Sequence, residues 1–163
     1  YEGYGPAKIA IIIEATTDNK NRAISEIRST VEKNGGTFAS GGAVSWMFAD
    51  VGLISVVKDT KSVDEIFEIA VDAGAEDVEE SGNIVEIYTN PAELSKVKTN
   101  LEQKGLQITS AELSKKPSTT VAIEDTETAK KVLGFLDKVE DLDDVSRVYS
   151  NFDISDEVLE KAT

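Results

Sequence analysis

The chain has 163 residues, a formal net charge of −14, and neither cysteine nor histidine. That length accommodates one medium domain or two small ones, and a surface so acidic repels phosphate, so the chain as a whole is not a nucleic-acid clamp. Without Cys and His, disulfides, zinc sites, haem ligation and serine or cysteine triads lose their usual parts, and a cytosol or an organelle matrix suits the chain better than secretion.

The chain starts at Tyr1 rather than Met, inside a glycine-rich lead-in, which leads us to expect a missing segment upstream. No signal peptide is visible, and no apolar run approaches the roughly 18 residues needed to span a bilayer. Gly3-Tyr4-Gly5-Pro6 resembles a phosphate loop only briefly. Its glycines lead into a strand instead of a helix, so a tight lead-in with one aromatic packed on a sheet is expected. Lys8 to Ala15 reads as a buried strand, because Ile9, Ile11 and Ile13 alternate with Ala10 and Ile12 and β-branched side chains suit the pleat. Thr16 to Arg22 joins it to a helix from about Asn19, which Thr17 or Asp18 is placed to cap. Ile24, Ile27 and Val31 form the helix's apolar stripe, and Gly35 its left-handed stop. The stretch from Asn34 to Gly42 is expected to be a mobile loop. A second strand then puts Val44, Trp46 and Phe48 on one face, with Ser45 and Met47 on the other. On that spacing Trp46, the only tryptophan, is a core anchor rather than a base-stacking platform.

Beyond Ala49 a second pattern begins. Leu53 to Val57 is a strand, and Ser62-Val63-Asp64-Glu65 is a capping box. It opens a helix with Ile66, Phe67, Ile69 and Ala70 turned inward. Ala75 to Glu80 and Asn83 to Thr89 form a hairpin across Ser81-Gly82. Asn90-Pro91-Ala92-Glu93 starts another helix, with Leu94, Val97 and Leu101 as its stripe, and Leu106 to Leu113 is the closing strand. The order β-α-β-β-α-β is that of a ferredoxin-like sandwich. After Lys115-Lys116-Pro117 come a strand from Thr119 to Glu124 and a helix from Thr126 with Ala129, Val132, Leu133, Leu136 and Val139 inward. A strand from Asp144 to Ser150 follows, with Val145 and Val148 on opposite faces. This half supplies what the first third lacks. The expected fold class is therefore α+β: two ferredoxin-like (βαββαβ) sandwiches, one inserted into the other. Residues 1–49 plus 116–153 make the discontinuous domain, 50–115 the inserted one, and 154–163 a C-terminal tail helix. The acidic runs at 76–80 and 141–144 lack calcium-loop spacing and read as solvated faces.

The charge is uneven. Residues 1–49 carry Lys8, Lys20, Arg22, Arg28 and Lys33 against Glu2, Glu14, Asp18, Glu26 and Glu32, which balances, and the acidic excess lies beyond. Any polyanion contact within the chain therefore belongs to the first third. The candidates are Lys20, Arg22 and Arg28, with Asn19 and Asn21 as hydrogen-bond partners and Lys8 nearby.

YEGYGP, the isoleucine strand ending in Glu14-Ala15, TDNKNR, GGAVSWMF, AGAEDVEE, PSTTV and VYSNFDI occur in order along the chain, and together they resemble the YebC/PmpR family. The resemblance implies a regulator of gene expression. Family members are described as probable transcriptional regulators that bind DNA, mitochondrial ones as translational activators of a cytochrome oxidase subunit, and bacterial ones are tied to ribosomes that stall on proline runs. It also implies a basic helical head ahead of two α+β domains, one inserted in the other. Two departures stand out. Ala7-Lys8 occupies a position where many members have a glycine pair, and Lys115-Lys116 adds positive charge at the domain junction. The expectation is a cytoplasmic (bacterial) or mitochondrial-matrix protein that meets DNA, RNA or the ribosome mainly through that missing head. No enzymatic activity, cofactor, metal or membrane contact is expected, and the oligomeric state is left open. The alternative is a protein-interaction or small-molecule effector module without direct nucleic-acid contact.

Overall fold

The computed structural model describes residues 1–162. Strand β1 (Glu2–Tyr4) leads through a 3-10 turn at Pro6–Lys8 into β2 (Ala10–Ala15), helix α1 (Lys20–Lys33) and β3 (Thr37–Ala39). A second 3-10 turn at Ser45–Met47 precedes β4 (Phe48–Val57), α2 (Val63–Ala73), β5 (Asp77–Ser81) and β6 (Ile84–Thr89). After a third turn at Pro91–Glu93 come α3 (Leu94–Gln103), β7 (Ile108–Pro117), β8 (Val121–Ile123), α4 (Thr126–Glu140), β9 (Val145–Ser150), β10 (Phe152–Ile154) and α5 (Asp156–Ala162). The protein is α+β and forms two compact units: Ala49–Lys116, and Tyr1–Phe48 with the chain from Pro117 onward.

The inserted unit has strand order β5-β6-β4-β7, the ferredoxin-like order, with β6 antiparallel to both β4 and β5. Its entry strand β4 and exit strand β7 are neighbours, which is what an insertion into another unit's sequence requires. Alternation along the strands puts Ile54, Val56, Val85 and Ile87 beneath the helices, where they meet Ile66, Ala70, Val97 and Leu101. The Ser62 hydroxyl accepts from the Glu65 N–H and caps α2. Phe67 departs from the expected inward stripe. Ile66, Ala70 and Ala73 fill the sheet-facing row of α2, so Phe67 falls in the next row and is 49% exposed.

In the discontinuous unit the isoleucine strand β2 is buried along nearly its whole length. It meets Ile27 and Val31 of α1 and Val132, Phe135 and Val139 of α4 in one core. The sheet order is β3-β1-β2-β9, with a separate parallel pair β8-β10. The glycine-rich lead-in is therefore a central strand, antiparallel to β2 on one side and to β3 on the other. The strand near residue 121, β8, pairs instead with β10 outside this four-stranded sheet. Asn151, 3% exposed, marks where the chain passes from β9 to β10. Its side-chain carbonyl accepts from the Ala10 N–H at 2.7 Å and its amide donates to the Thr119 carbonyl at 3.1 Å. Val145 and Val148 both pack on the main core, rather than on opposite faces. The register slips at Glu14/Ala15, so Val145 pairs with Ala15 and Arg147 with Glu14, and the bulge returns Val145 to the core side.

The second strand expected at Val44–Phe48 is not formed. The Glu2 carboxylate accepts N–H groups from Gly42, Val44 and Ser45, and this curls the backbone into the 3-10 turn while Val44 stays buried against Ala10 and Ile12. Trp46 is turned out to 72% exposure with its indole N–H donating to the Ala43 carbonyl, so it is no core anchor. The loop from Asn34 to Gly42 likewise contains β3 and is tied down by Glu2. In α1 the buried stripe is Ala23, Ile27 and Val31, and Ile24 is 36% exposed. Val158 and Ala162 of α5 pack on the core of the discontinuous unit. Thr163, the last residue of the expected tail helix, lies outside the described residues. Among those described, no helix is long and apolar enough to cross a membrane.

Candidate nucleic-acid interface

The candidate residues cluster where β2 hands over to α1. The cap of α1 is Asn19 rather than Thr17 or Asp18, because its side chain accepts from the Arg22 N–H at 3.0 Å. The Thr17 hydroxyl instead accepts from the Asn19 N–H. Asn19 is thus occupied by the fold, while Lys20 and Asn21 stand exposed in the first turn of α1. No acidic residue lies in that turn, so Lys20 adds to the positive potential of the helix start.

Arg22 follows a different course. The Thr16 N–H donates to the Asp144 carbonyl at 2.8 Å, which joins the loop after β2 to the chain entering β9. That link brings the Asp144 carboxylate beneath the guanidinium. Arg22 Nη2 lies 3.2 Å from both Asp144 oxygens and 3.0 Å from Asp18 Oδ1. The hydrogen bonds and charge of Asp144, then those of Asp18, hold the guanidinium above its ordinary pKa. Two carboxylates therefore already claim this cation.

Arg28 lies with its guanidinium 4.9 Å from the centre of the Phe38 ring, a cation–π arrangement that leaves its charge in place. Lys20, Ile24 and Arg28 follow one another at four-residue spacing and share one face of α1. With Tyr1 and Phe38, Ile24 and Arg28 line an open cleft beside β3. Lys8 is elsewhere. It precedes β2, whereas Lys20 follows it, and a six-residue strand separates its ends by roughly 20 Å. Lys8 and Ala7 both have positive φ, 63° and 62°, the region that glycine favours.

Of the six candidates, the structure groups Lys20 with Arg28, keeps Asn21 exposed beside them, ties Arg22 to acids, uses Asn19 as a cap and sets Lys8 apart. Sequence reasoning missed Asp144. It is 122 positions from Arg22, and nothing local distinguishes it from its acidic neighbours. The pair Lys115-Lys116 is not free positive charge either. Lys115 meets Asp50, and Lys116 meets Asp77 and Glu79 on the face of Tyr88.

The family model described as "TACO1/YebC second and third domain" matches residues 1–152. A probable transcriptional regulatory protein of Sulfurihydrogenibium sp. is 55% identical over 99% of this chain and 64% of its own length. One from Persephonella marina is 49% identical over 100% of this chain and 66% of its own. The crystal structure of the conserved hypothetical protein Aq1575 from Aquifex aeolicus superposes with a TM-score of 0.89 at 45% identity, covering 98% of this chain and 65% of that one. The chain thus spans just under two thirds of the length of these relatives.

Proposed function

We propose, since the chain belongs to the TACO1/YebC family, that it is the two-unit body of a regulator of gene expression acting on DNA, RNA or the ribosome. In this reading the main polyanion contact is made by the third of the relatives' length that this chain does not span. The relatives from Sulfurihydrogenibium sp. and Fusobacterium nucleatum carry the name probable transcriptional regulatory protein, which supports a regulatory role. The observation that carries the division of labour is the fate of Arg22. The cation in the middle of the candidate cluster is held by Asp144 and Asp18, which leaves Lys20 and Arg28 as a narrow strip on an acidic molecule.

Phosphate affinity scales with the cations presented and falls with salt. The chain alone is expected to bind DNA and RNA weakly, and a longer form with the remaining family length far more tightly, in a salt titration by fluorescence anisotropy. Equal affinity for the two forms overturns the division. Exchanging Lys20 and Arg28 of the strip, together with Arg22 between them, for Glu weakens crosslinking of the full-length protein to its nucleic acid in cells without abolishing it. Asp144→Asn, which releases Arg22, strengthens binding and steepens its salt dependence. Sorting the crosslinks into DNA, messenger RNA and ribosomal RNA identifies the target class.

A further inference from the structure

The inserted unit carries a surface that the nucleic-acid reading does not use. On α2, Phe67 and Val71 lie one turn apart and are 49% and 50% exposed. Alongside them, at four-residue spacing, run Asp64, Glu68 and Asp72, all exposed. The helix contains no basic residue, and no described residue forms an ion pair with these three carboxylates. Like charges at this spacing weaken a helix, and half-exposed Phe and Val side chains leave apolar area in water. Both costs are relieved by one kind of cover.

We propose that this face of α2 docks a lysine- or arginine-rich protein helix bearing two apolar side chains one turn apart. Charge complementarity selects that occupant. Nucleic acid and an anionic membrane would bring phosphate against the carboxylate row, and a second copy of the chain, meeting it across a twofold axis, would set one acidic row against another. A cationic helix seats its apolar pair on Phe67 and Val71 and its ammonium or guanidinium groups on Asp64, Glu68 and Asp72. This is the helix-on-apolar-face mode with an electrostatic rim. It adds a protein partner to the regulator and does not depend on where nucleic acid binds.

The test uses the whole chain and a fluorescent lysine-rich helical peptide of about 15 residues with two leucines at i and i+4, followed by anisotropy. Binding is expected, weakened by added salt, and weakened at least roughly tenfold by Phe67→Ser with Val71→Ser. Glu68→Lys with Asp72→Lys should have a similar effect. Circular dichroism confirms that the variants fold, and Ile84→Ser, an exposed apolar residue on β6, leaves binding unchanged. The proposal is overturned if the peptide does not bind, if its glutamate counterpart binds equally well, or if the Phe67/Val71 variant binds like the parent. It is equally overturned if RNA, with no peptide present, binds the chain and Phe67→Ser with Val71→Ser abolishes that binding. Self-association in sedimentation that Phe67→Ser abolishes would assign the face to a second copy instead.

Discussion

Glu2 shows how much a single side chain can organise. One of its oxygens accepts from Gly42 at 2.6 Å and the other from Val44 at 2.9 Å and Ser45 at 2.7 Å. Burial works to raise its pKa, yet these N–H donors hold it below the ordinary 4.5. A carboxyl lowered by folding stabilises the native state fully above its unfolded pKa, and that contribution is lost as the pH falls through the lower, folded value. Glu2→Gln is therefore expected to lower the urea midpoint at pH 7 and to flatten its decline on acidification below about 4.5. Parallel declines in the two proteins would show that Glu2 contributes nothing to acid sensitivity. The neighbouring pair Ala7 and Lys8 illustrates strain rather than satisfaction. Both non-glycine residues adopt positive φ, and a left-handed residue with a Cβ costs about 1 kcal/mol or more, part of which glycine returns as unfolded-state entropy. Lys8→Gly should stabilise the fold by about 0.5 kcal/mol in denaturant melts. Destabilisation would mean that the Lys8 side chain supports the fold.

At the scale of elements, β1 is the part whose role the pattern understated. Three residues long, it lies between β2 and β3, and its middle residue is a glycine for a steric reason. A Cβ on Gly3 would sit 2.5 Å from the Thr37 carbonyl oxygen on β3, and a neighbouring backbone moves less readily than a side chain. Gly3→Ala should cost about 2 kcal/mol and selectively speed hydrogen exchange at Thr37–Ala39, the edge strand it displaces. Unchanged exchange there would show that the sheet accommodates the methyl group. The bulge between β2 and β9 and the pivot at Asn151 have the same character. Each changes the course of a strand through a contact with a distant one, so neither leaves a periodic signature. The helices were more legible. Caps such as Ser62 and stripes such as Val97 and Leu101 depend on spacings of three and four residues, which the chain displays directly. Phe67 and Ile24 were misplaced because helical periodicity fixes the angle between rows but not which row a sheet covers.

For the molecule as a whole, the net charge of −14 governs behaviour in solution more than any single pair does. Several cations already sit on carboxylates, namely Arg22, Lys58, Lys115 and Lys116, and the acidic excess repels itself. Raising monovalent salt from about 0.01 M to about 1 M shortens the Debye length from about 30 Å to about 3 Å. The thermal midpoint should then rise, by about 3 °C for each kcal/mol of repulsion screened. A midpoint that falls with salt would mean that the ion pairs outweigh the repulsion.

Read alone, the sequence determined the α+β class, the element order of the inserted unit, the buried isoleucine strand and the balance of charge in the first third against an acidic remainder. All of these rest on local periodicity, turn chemistry or simple counts. It also named the residue types of the candidate strip. Only the tertiary structure decided what those residues are free to do. Arg22 meets Asp144 across 122 positions, Ala10 meets Asn151 across 141, and Glu2 draws in a loop some 40 positions away. Such pairings follow from sheet register, and register is a property of strands already assembled. A chain read one neighbourhood at a time therefore shows which groups carry charge, while the folded sheet settles which of those charges are already spent on each other.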